Sequence, residues 1–149
     1  DFIVCDECVS AMDVSVQAQV LNLLKSLQVS RGLTYLFISH DLAVTRYISD
    51  QIMVMYLGKT VEFGKTEEVM MSPNHPYTKA LMNSIPKIDQ KVDRLNTLKG
   101  MVPSILDMPV GCKFCTRCDF VEQKCEDTEP ELIEIKDGHF VRCKPELLK

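Results

Sequence analysis

The sequence contains no long apolar run, since none of its hydrophobic stretches approaches the roughly 18 residues of a membrane-spanning helix. It also lacks an excess of positive charge: its net charge of -4 excludes the broad basic surface of a nucleic-acid-binding protein. No N-terminal signal peptide is visible. We therefore expect no nucleic-acid partner, and we expect any association with a membrane to depend on other proteins.

The seven cysteines are unevenly distributed along the 149 residues. Cys5 and Cys8 lie near the start, and the other five lie in the last quarter. An odd number of cysteines without a secretory signal argues against a disulfide framework and for metal or thiol chemistry in a reducing compartment. The five clustered cysteines are Cys112, Cys115, Cys118, Cys125 and Cys143.

Hydrophobic periodicity predicts an α/β fold. Strand, helix, strand, helix is the order of a parallel α/β sheet, so we predict a mostly parallel sheet with helices. Asp13 is placed to cap the first helix and Gly32 to end it. Met53 and Met55 alternate along one strand and are expected in the core. Strands are predicted over 2–5, 33–39, 51–57 and 60–63, and helices over 14–31, 42–49, 66–71 and 77–84, the last opened by Pro76.

Two Gly-Lys-Thr triplets, beginning at Gly58 and Gly64, imitate the end of a phosphate-binding loop. Such a loop needs the spacing G-x-x-x-x-G-K-[ST] between a strand and a helix. The two glycines enclose five residues instead of four, and the residues between them, "TVEF", favour a strand. We therefore reject a phosphate loop here and predict a hairpin turn at Gly58-Lys59.

The last part of the chain has a different composition. Prolines and glycines interrupt the pattern from 86 to 111, which we interpret as a linker. The tail, 112–149, holds few large apolar residues. We therefore expect its own hydrophobic core to be too small to keep it folded, so that some further stabilising interaction is needed. His75 is expected to be structural at a helix start, and His139 is expected in a surface loop.

Polar side chains follow two strands of the predicted sheet. Asp6 and Glu7 come directly after the first strand, and His40 follows the second. Because ligands gather at the carboxyl ends of strands in an open α/β sheet, these side chains are expected at one edge. Phosphoryl chemistry needs a carboxylate for a metal ion and a group that orients the attacking water. The alternative for an acidic pair after a strand is ordinary loop or helix-cap chemistry.

The order of these motifs resembles the ABC-type ATPases. It runs from "FIVCDE" through "SAMD" at 10–13 to "FISHD" at 37–41. The stretches "VSVQAQVLNLLKSLQ", "VMYLGKTVEFG" and "SPNHPYTKALMNSIP" are similar to those in the ATP-binding subunits of oligopeptide and dipeptide permeases. The resemblance implies that 1–85 is the C-terminal part of an ABC ATPase domain and that 112–149 is the C-terminal module of these transporters.

The resemblance also implies a role for each motif residue. Asp6, in the Walker B motif, would hold Mg²⁺ with ATP, largely through water. Glu7 would polarise the water that attacks the γ-phosphate, and His40 would contact that phosphate. Ser10 and Asp13, in the D-loop, would pass information to the second ATP site of a dimer.

The implied function is that of an ATPase subunit that energises peptide import at the cytoplasmic face of the cell membrane. Its expected partners are transmembrane permease subunits, a second ATP-binding subunit in a homo- or heterodimer and, indirectly, an extracytoplasmic peptide-binding protein. In this family the Walker A loop and the signature sequence precede Walker B. We therefore expect this chain alone to be inactive and poorly soluble. Cys8 stands where the family usually has proline, which would loosen the turn slightly.

The clustered cysteines suggest a metal centre. Their C-x₂-C-x₂-C opening is typical of iron–sulfur sites, and four thiolates would equally form a tetrahedral zinc site. Permease ATPases commonly keep four cysteines that match Cys112, Cys118, Cys125 and Cys143, which implies a [4Fe–4S] cluster. Cys115 is additional to that pattern, and unligated thiols are a further alternative.

Two other interpretations concern thiols. The alternative to an ATPase subunit is a protein of a different functional class. In it, the cysteine-rich tail would be a metal-bound interaction or redox module, and the α/β part would be only its scaffold. Cys5 and Cys8 form a C-x-x-C pair, but Asp6 and Glu7 between them would raise the thiol pKa, which opposes redox reactivity. Cys5 is expected to be a small buried hydrophobic residue.

Overall fold

The computed structural model describes residues 1–84 and 100–143. They fall into two compact units, one of Asp1–Asp50 and one that begins at Gln51. The predicted division into 1–85, 86–111 and 112–149 stays a prediction, because part of the expected linker lies outside the described residues. The two compact units meet at Asp50 and Gln51 in the sequence.

The first unit has the predicted order of elements. It contains β1 (Phe2–Asp6), α1 (Val14–Arg31), β2 (Thr34–Ile38) and α2 (Leu42–Ile48). The two strands pair in parallel, as predicted.

The ends of α1 follow from local chemistry, as the sequence predicted. The Asp13 side chain accepts hydrogen bonds from the backbone N–H groups of Ser15 and Val16, which have no partner inside the helix. Gly32 ends the helix in the left-handed conformation, with a φ of 62°, which glycine adopts without steric cost. One residue at each end, Asp13 and Gly32, was therefore enough to predict where α1 begins and ends.

A small apolar core holds the first unit together. Buried residues from the loop after β1 and from both helices meet in it, and parts of α1 and β2 pack against them. The strands themselves are poorly covered: Phe2 is 63% exposed and Val4 is 55% exposed. An apolar surface of this kind is consistent with the expected poor solubility, which stays a prediction. The buried core residues are Val9, Leu21, Val44 and Ile48.

The second unit begins with a β-hairpin. Its strands are β3 (Gln51–Tyr56) and β4 (Lys59–Lys65), paired antiparallel. Leu57 and Gly58 connect them, with φ angles of 45° and 76°, as a tight two-residue hairpin turn requires. The predicted hairpin is confirmed, but its turn consists of Leu57 and Gly58, one residue before the predicted Gly58-Lys59, because Lys59 already pairs with Tyr56 in β4.

The face of β3 that is buried differs from the prediction. Met53 and Met55 are more than half exposed, whereas Ile52, Val54 and Tyr56 are buried. The prediction that the two methionines lie in the core is therefore wrong for the described residues. The alternation was correct, but it does not reveal which of two apolar faces is covered.

Two further helices follow the hairpin, and a second hairpin lies in the tail. The prediction of a mostly parallel sheet is wrong for this unit, because its four strands pair antiparallel in the order β3-β4-β6-β5. The tail hairpin extends the sheet from β4, which was not predicted. These elements are α3 (Thr66–Met71), α4 (Pro76–Asn83), α5 (Gln123–Asp127), β5 (Ile133–Lys136) and β6 (His139–Val141), with 3₁₀ turns at Ile105–Asp107 and Cys115–Arg117.

The tail shares an aromatic core with the rest of this unit. Phe114 is only 2% exposed, and its ring centroid lies 5.3 Å from that of Tyr56 and 5.4 Å from that of Tyr77. The His75 ring lies 5.8 Å from Phe114. The tail is therefore packed against β3 and α4. This packing gives the tail a hydrophobic core that its own residues were not expected to provide. No helix of the described residues is long and apolar enough to cross a membrane.

Candidate functional site

The predicted groups meet at the carboxyl edge of the parallel strand pair. Because Asp6 on β1 is in register with Ile38 on β2, the residues that follow the two strands emerge side by side. His40 Nδ1 lies 3.2 Å from Glu7 Oε1. The structure thus brings together two side chains that are 33 residues apart in the sequence.

The backbone of Glu7 is fixed on both sides. Its N–H donates to the carbonyl of Ile38 at 3.0 Å, which continues the strand ladder by one residue. Its carbonyl accepts from the backbone N–H of Ser10 at 3.1 Å and from the Ser10 hydroxyl at 2.9 Å. Glu7 has a φ of 44°, in the left-handed region that a residue with a side chain rarely adopts. The turn is therefore strained at Glu7, and the hydrogen bonds from Ser10 stabilise it.

The site is open to solvent. The side chain of Glu7 is 54% exposed and that of His40 is 72% exposed, and Asp6 is exposed at the end of β1. An exposed pair of this kind contributes little to stability because solvent screens it. The carboxylate and the imidazole at this accessible edge are open to contact with a ligand, and the Asp6 carboxylate is an oxygen donor of the kind that Mg²⁺ prefers.

Other carboxylates near this edge have structural uses. Asp41 accepts from the N–H groups of Ala43 and Val44, which begin α2. Asp13 caps α1 in the same way. The predicted D-loop residues thus separate: Ser10 contacts Glu7, whereas the Asp13 carboxylate is engaged at a helix start.

The Cys5 thiol is buried, as predicted. Burial raises its pKa, and the neighbouring Cys8 thiol, in hydrogen-bond contact with it, raises the pKa further. A thiol with a raised pKa forms less of the reactive thiolate. The low reactivity expected of Cys5 is therefore consistent with its surroundings, but the causes are burial and Cys8 and not the predicted carboxylates of Asp6 and Glu7.

The tail cysteines do not form a recognisable metal centre. Burial raises the pKa of Cys112, Cys115 and Cys118, and Cys125 lies close enough to each of them to add to the effect. Among the described residues, no group of three or more His, Cys, Asp or Glu side chains is placed to hold a metal ion. The expected iron–sulfur or zinc centre, with Cys143 as a ligand, is therefore not supported.

Sequence reasoning missed a buried polar cluster in the second unit. Glu62 on β4 is 0% exposed, and its carboxylate accepts from the backbone N–H groups of Asn74 and His75. His139 is buried on β6, with Nε2 2.8 Å from Glu62 Oε1, so its expected place in a surface loop is wrong. The available signal was Glu62 itself, a charged residue inside the strand-forming stretch "TVEF". His75 caps α4, as expected, because its Nδ1 accepts from the N–H of Tyr77.

Comparison with known proteins adds the family context. Residues 61–125 match the family model for the C-terminal region of oligopeptide/dipeptide transporters. The chain is 50% identical over 145 residues to a putative peptide import ATP-binding protein of Brucella ovis, a match that covers 96% of this chain and 45% of that protein.

Two further relatives have similar coverage. The oligopeptide transport ATP-binding protein OppF of Haemophilus influenzae is 49% identical over 144 residues, which cover 95% of this chain and 43% of OppF. The putative oligopeptide transport ATP-binding protein YkfD of Bacillus subtilis is 50% identical over 147 residues, covering 96% of this chain and 44% of YkfD. The chain thus spans less than half the length of these relatives.

Proposed function

This chain is a homologue of the ATP-binding proteins of oligopeptide and dipeptide transport, as its sequence indicated, and we propose that it carries the hydrolytic groups of such a subunit. The observation that carries the proposal is the pairing of Glu7 with His40 at the carboxyl edge of β1 and β2. Two groups from successive strands converge there, which the alternative of ordinary loop chemistry does not require.

Each group has a role that its chemistry allows. Glu7 orients and polarises the water that attacks the γ-phosphate of ATP, because a carboxylate accepts a proton from that water. The His40 imidazole donates a hydrogen bond to a γ-phosphate oxygen. Asp6 would hold Mg²⁺ at the end of β1, and the ion, when bound, neutralises negative charge on the phosphates.

The wider assembly follows from the same proposal. Ser10 and Asp13 lie in the loop that would face a second ATP-binding subunit. The subunit would work at the cytoplasmic face of the membrane with transmembrane permease subunits and, through them, with a peptide-binding protein. The support is that relatives of about 50% identity are named for peptide import and ATP binding.

The test is Glu7→Gln in the full-length subunit. The amide keeps the size of the side chain and its contact with His40, but it is not a base. We expect ATP hydrolysis to fall by roughly 100-fold or more while ATP affinity stays nearly unchanged. Phosphate release and nucleotide titration measure the two quantities.

Glu131→Gln is the matched control, because it removes an exposed carboxylate far along the sequence from this edge. It should leave both quantities unchanged. Hydrolysis by the Glu7→Gln variant at nearly the wild-type rate would contradict the assignment of Glu7. The second candidate function, a metal-bound interaction or redox module, has no specific observation in its favour, and we do not propose it.

A further inference from the structure

The position of His40 depends on the backbone on either side of it. Its side chain is 72% exposed, and solvent weakens its contact with Glu7, so that contact alone does not hold the ring in place. On the strand side, the carbonyl of Ile38 accepts from the backbone N–H of Glu7 at 3.0 Å. Between Ile38 and the residue that caps α2, the connection consists of Ser39 and His40 alone. The place of His40 is therefore set by where α2 begins.

Asp41 fixes that beginning through its side chain and its backbone. Its carboxylate Oδ1 accepts from the backbone N–H groups of Ala43 at 2.8 Å and of Val44 at 3.1 Å. Its carbonyl accepts from the backbone N–H of Thr45 at 3.0 Å and from the Thr45 hydroxyl at 2.8 Å. Its own N–H donates to Ser39 Oγ at 3.0 Å. These hydrogen bonds hold Asp41 on the first turn of the helix.

The capped helix is short but well anchored. α2 has seven residues, and a helix of that length does not persist in water by itself. Val44 and Ile48 are buried in the core of the first unit. Near the end of the helix, the Tyr47 hydroxyl donates to Oδ1 of Asn22 on α1 at 2.5 Å. α2 is thus a fixed support for the loop that precedes it.

Loss of the cap would therefore affect the loop and the first turn more than the helix as a whole. In an Asp41→Ala chain the core contacts of α2 remain, but the first N–H groups of the helix lose the oxygen that accepts from them. The first turn then frays, and the residues before it gain conformational freedom. The His40 imidazole would spend less time beside Glu7.

We propose that Asp41 is a positioning residue for ATP hydrolysis: by capping α2, it holds the His40 imidazole beside Glu7. This role rests on the function proposed for His40 and Glu7. Asp41 does not act on the substrate itself, since its carboxylate is engaged at the start of the helix. Its effect passes through the placement of His40, because a displacement of about 1 Å can slow a reaction by about 100-fold.

The test compares two substitutions of Asp41 in the full-length subunit. Asp41→Ala removes the cap, whereas Asp41→Asn removes the charge but keeps an oxygen that caps a helix about equally well. We expect kcat for ATP hydrolysis to fall roughly five-fold in the alanine variant, with KM nearly constant, and to recover in the asparagine variant. An asparagine variant as slow as the alanine variant would overturn the proposal, because the charge and not the cap would then matter.

A double-mutant cycle tests whether Asp41 acts through His40. In a His40→Ala background, Asp41→Ala should cause no further loss of kcat, because the group that it positions is already absent. The same roughly five-fold loss in that background would reveal a general structural effect and overturn the proposal. Hydrolysis by His40→Ala at the wild-type rate would overturn the function proposed for His40, and the role of Asp41 with it.

Thr45→Val is a milder variant for the same cycle. It removes only the hydroxyl that donates to the Asp41 carbonyl and leaves the carboxylate cap in place. We expect a loss of kcat smaller than that of Asp41→Ala, and we expect this loss to vanish in the His40→Ala background. A loss that persists in that background would count against the proposal even if Asp41→Ala did not fold.

A measurement without ATP checks the geometry itself. Backbone ¹⁵N relaxation gives the order parameter of the His40 amide, which we expect near about 0.85 in the wild type and in Asp41→Asn and toward about 0.6 in Asp41→Ala. Ser104→Ala is the matched control, because it also removes a cap, the Ser104 Oγ that accepts from the N–H of Leu106 at 3.2 Å. It should change neither this order parameter nor kcat. An unchanged order parameter in Asp41→Ala would overturn the proposal even if hydrolysis were slower.

Discussion

His40 Nδ1 lies 3.2 Å from Glu7 Oε1 although the two residues belong to loops that follow different strands. The contact exists because β1 and β2 run parallel and in register, so their carboxyl ends coincide. Its exposed position leaves both side chains free to exchange this contact for one with a phosphate or a water. The contact between the two side chains thus contributes little to the stability of the fold, and both groups remain accessible to a ligand.

Replacement of His40 by alanine should separate hydrolysis from binding. In the proposed function the imidazole donates to charge that develops at the γ-phosphate, and alanine has no donor. In the full-length subunit we expect hydrolysis to fall by about 100-fold while ATP affinity changes little. Because the side chain is 72% exposed, the melting temperature should be unchanged, which circular dichroism would check. Equal losses of affinity and rate would indicate a different role for His40.

Ser10→Ala should weaken catalysis through the backbone of Glu7. The hydroxyl donates to the carbonyl of Glu7, whose φ of 44° needs support. One such hydrogen bond contributes about 1 kcal/mol, so kcat should fall roughly five-fold with KM nearly constant. Ser10→Thr retains the hydroxyl and should recover most of the rate. If threonine is as slow as alanine, the hydroxyl does not position Glu7.

The buried His75 should make stability decrease in mild acid. Burial and, secondarily, Lys79 lower its pKa from 6.5 to about 4. The unfolded chain therefore takes up a proton below about pH 6.5 that the folded chain refuses until about pH 4. The contribution of the neutral ring is complete above pH 6.5 and is lost as the pH falls to 4, an effect of about 3 kcal/mol.

Urea unfolding between pH 7 and 4 measures this dependence. His75→Asn is the matched variant, because asparagine also accepts from the N–H of Tyr77 as a helix cap but does not titrate. We expect a flatter pH profile for the variant. A profile as steep as that of the wild type would assign the acid sensitivity to other groups.

Gly111→Ala should destabilise the tail. A Cβ at position 111 would overlap the backbone carbonyl oxygens of Cys125 and Glu126, because the chain segments approach closely where the N–H of Cys112 donates to the carbonyl of Cys125 at 2.7 Å. Backbone atoms cannot rotate aside, so we expect a loss of about 2 kcal/mol or more.

Thermal unfolding measures the effect of this substitution. Gly100→Ala is a useful comparison, because it meets no such overlap but has a φ of 70°, which strains any side chain. It should therefore cost about 1 kcal/mol. A Gly111→Ala protein as stable as the wild type would show that the close approach is relieved by movement of the tail.

The sequence by itself determined the features that depend on neighbouring residues. Asp13 and Gly32 fix the ends of α1 through capping, and Gly58 marks the hairpin turn through its positive φ. The edge that carries Glu7 and His40 was also predictable, because a strand-helix-strand order makes two strands parallel and aligns their ends.

Only the tertiary structure decided the features that depend on distant pairing. The antiparallel addition of β6 to β4 gave the second unit its sheet, and Ile52 rather than Met53 faces its core. Glu62 and His139 are 77 residues apart, and the residues next to each of them do not indicate that the two side chains are in contact. A strand pattern gives the alternation of faces, but the partner that covers one face decides which residues are buried. Long-range contacts set that partner, and they also set the buried contact of Glu62 with His139 and the packing of the tail.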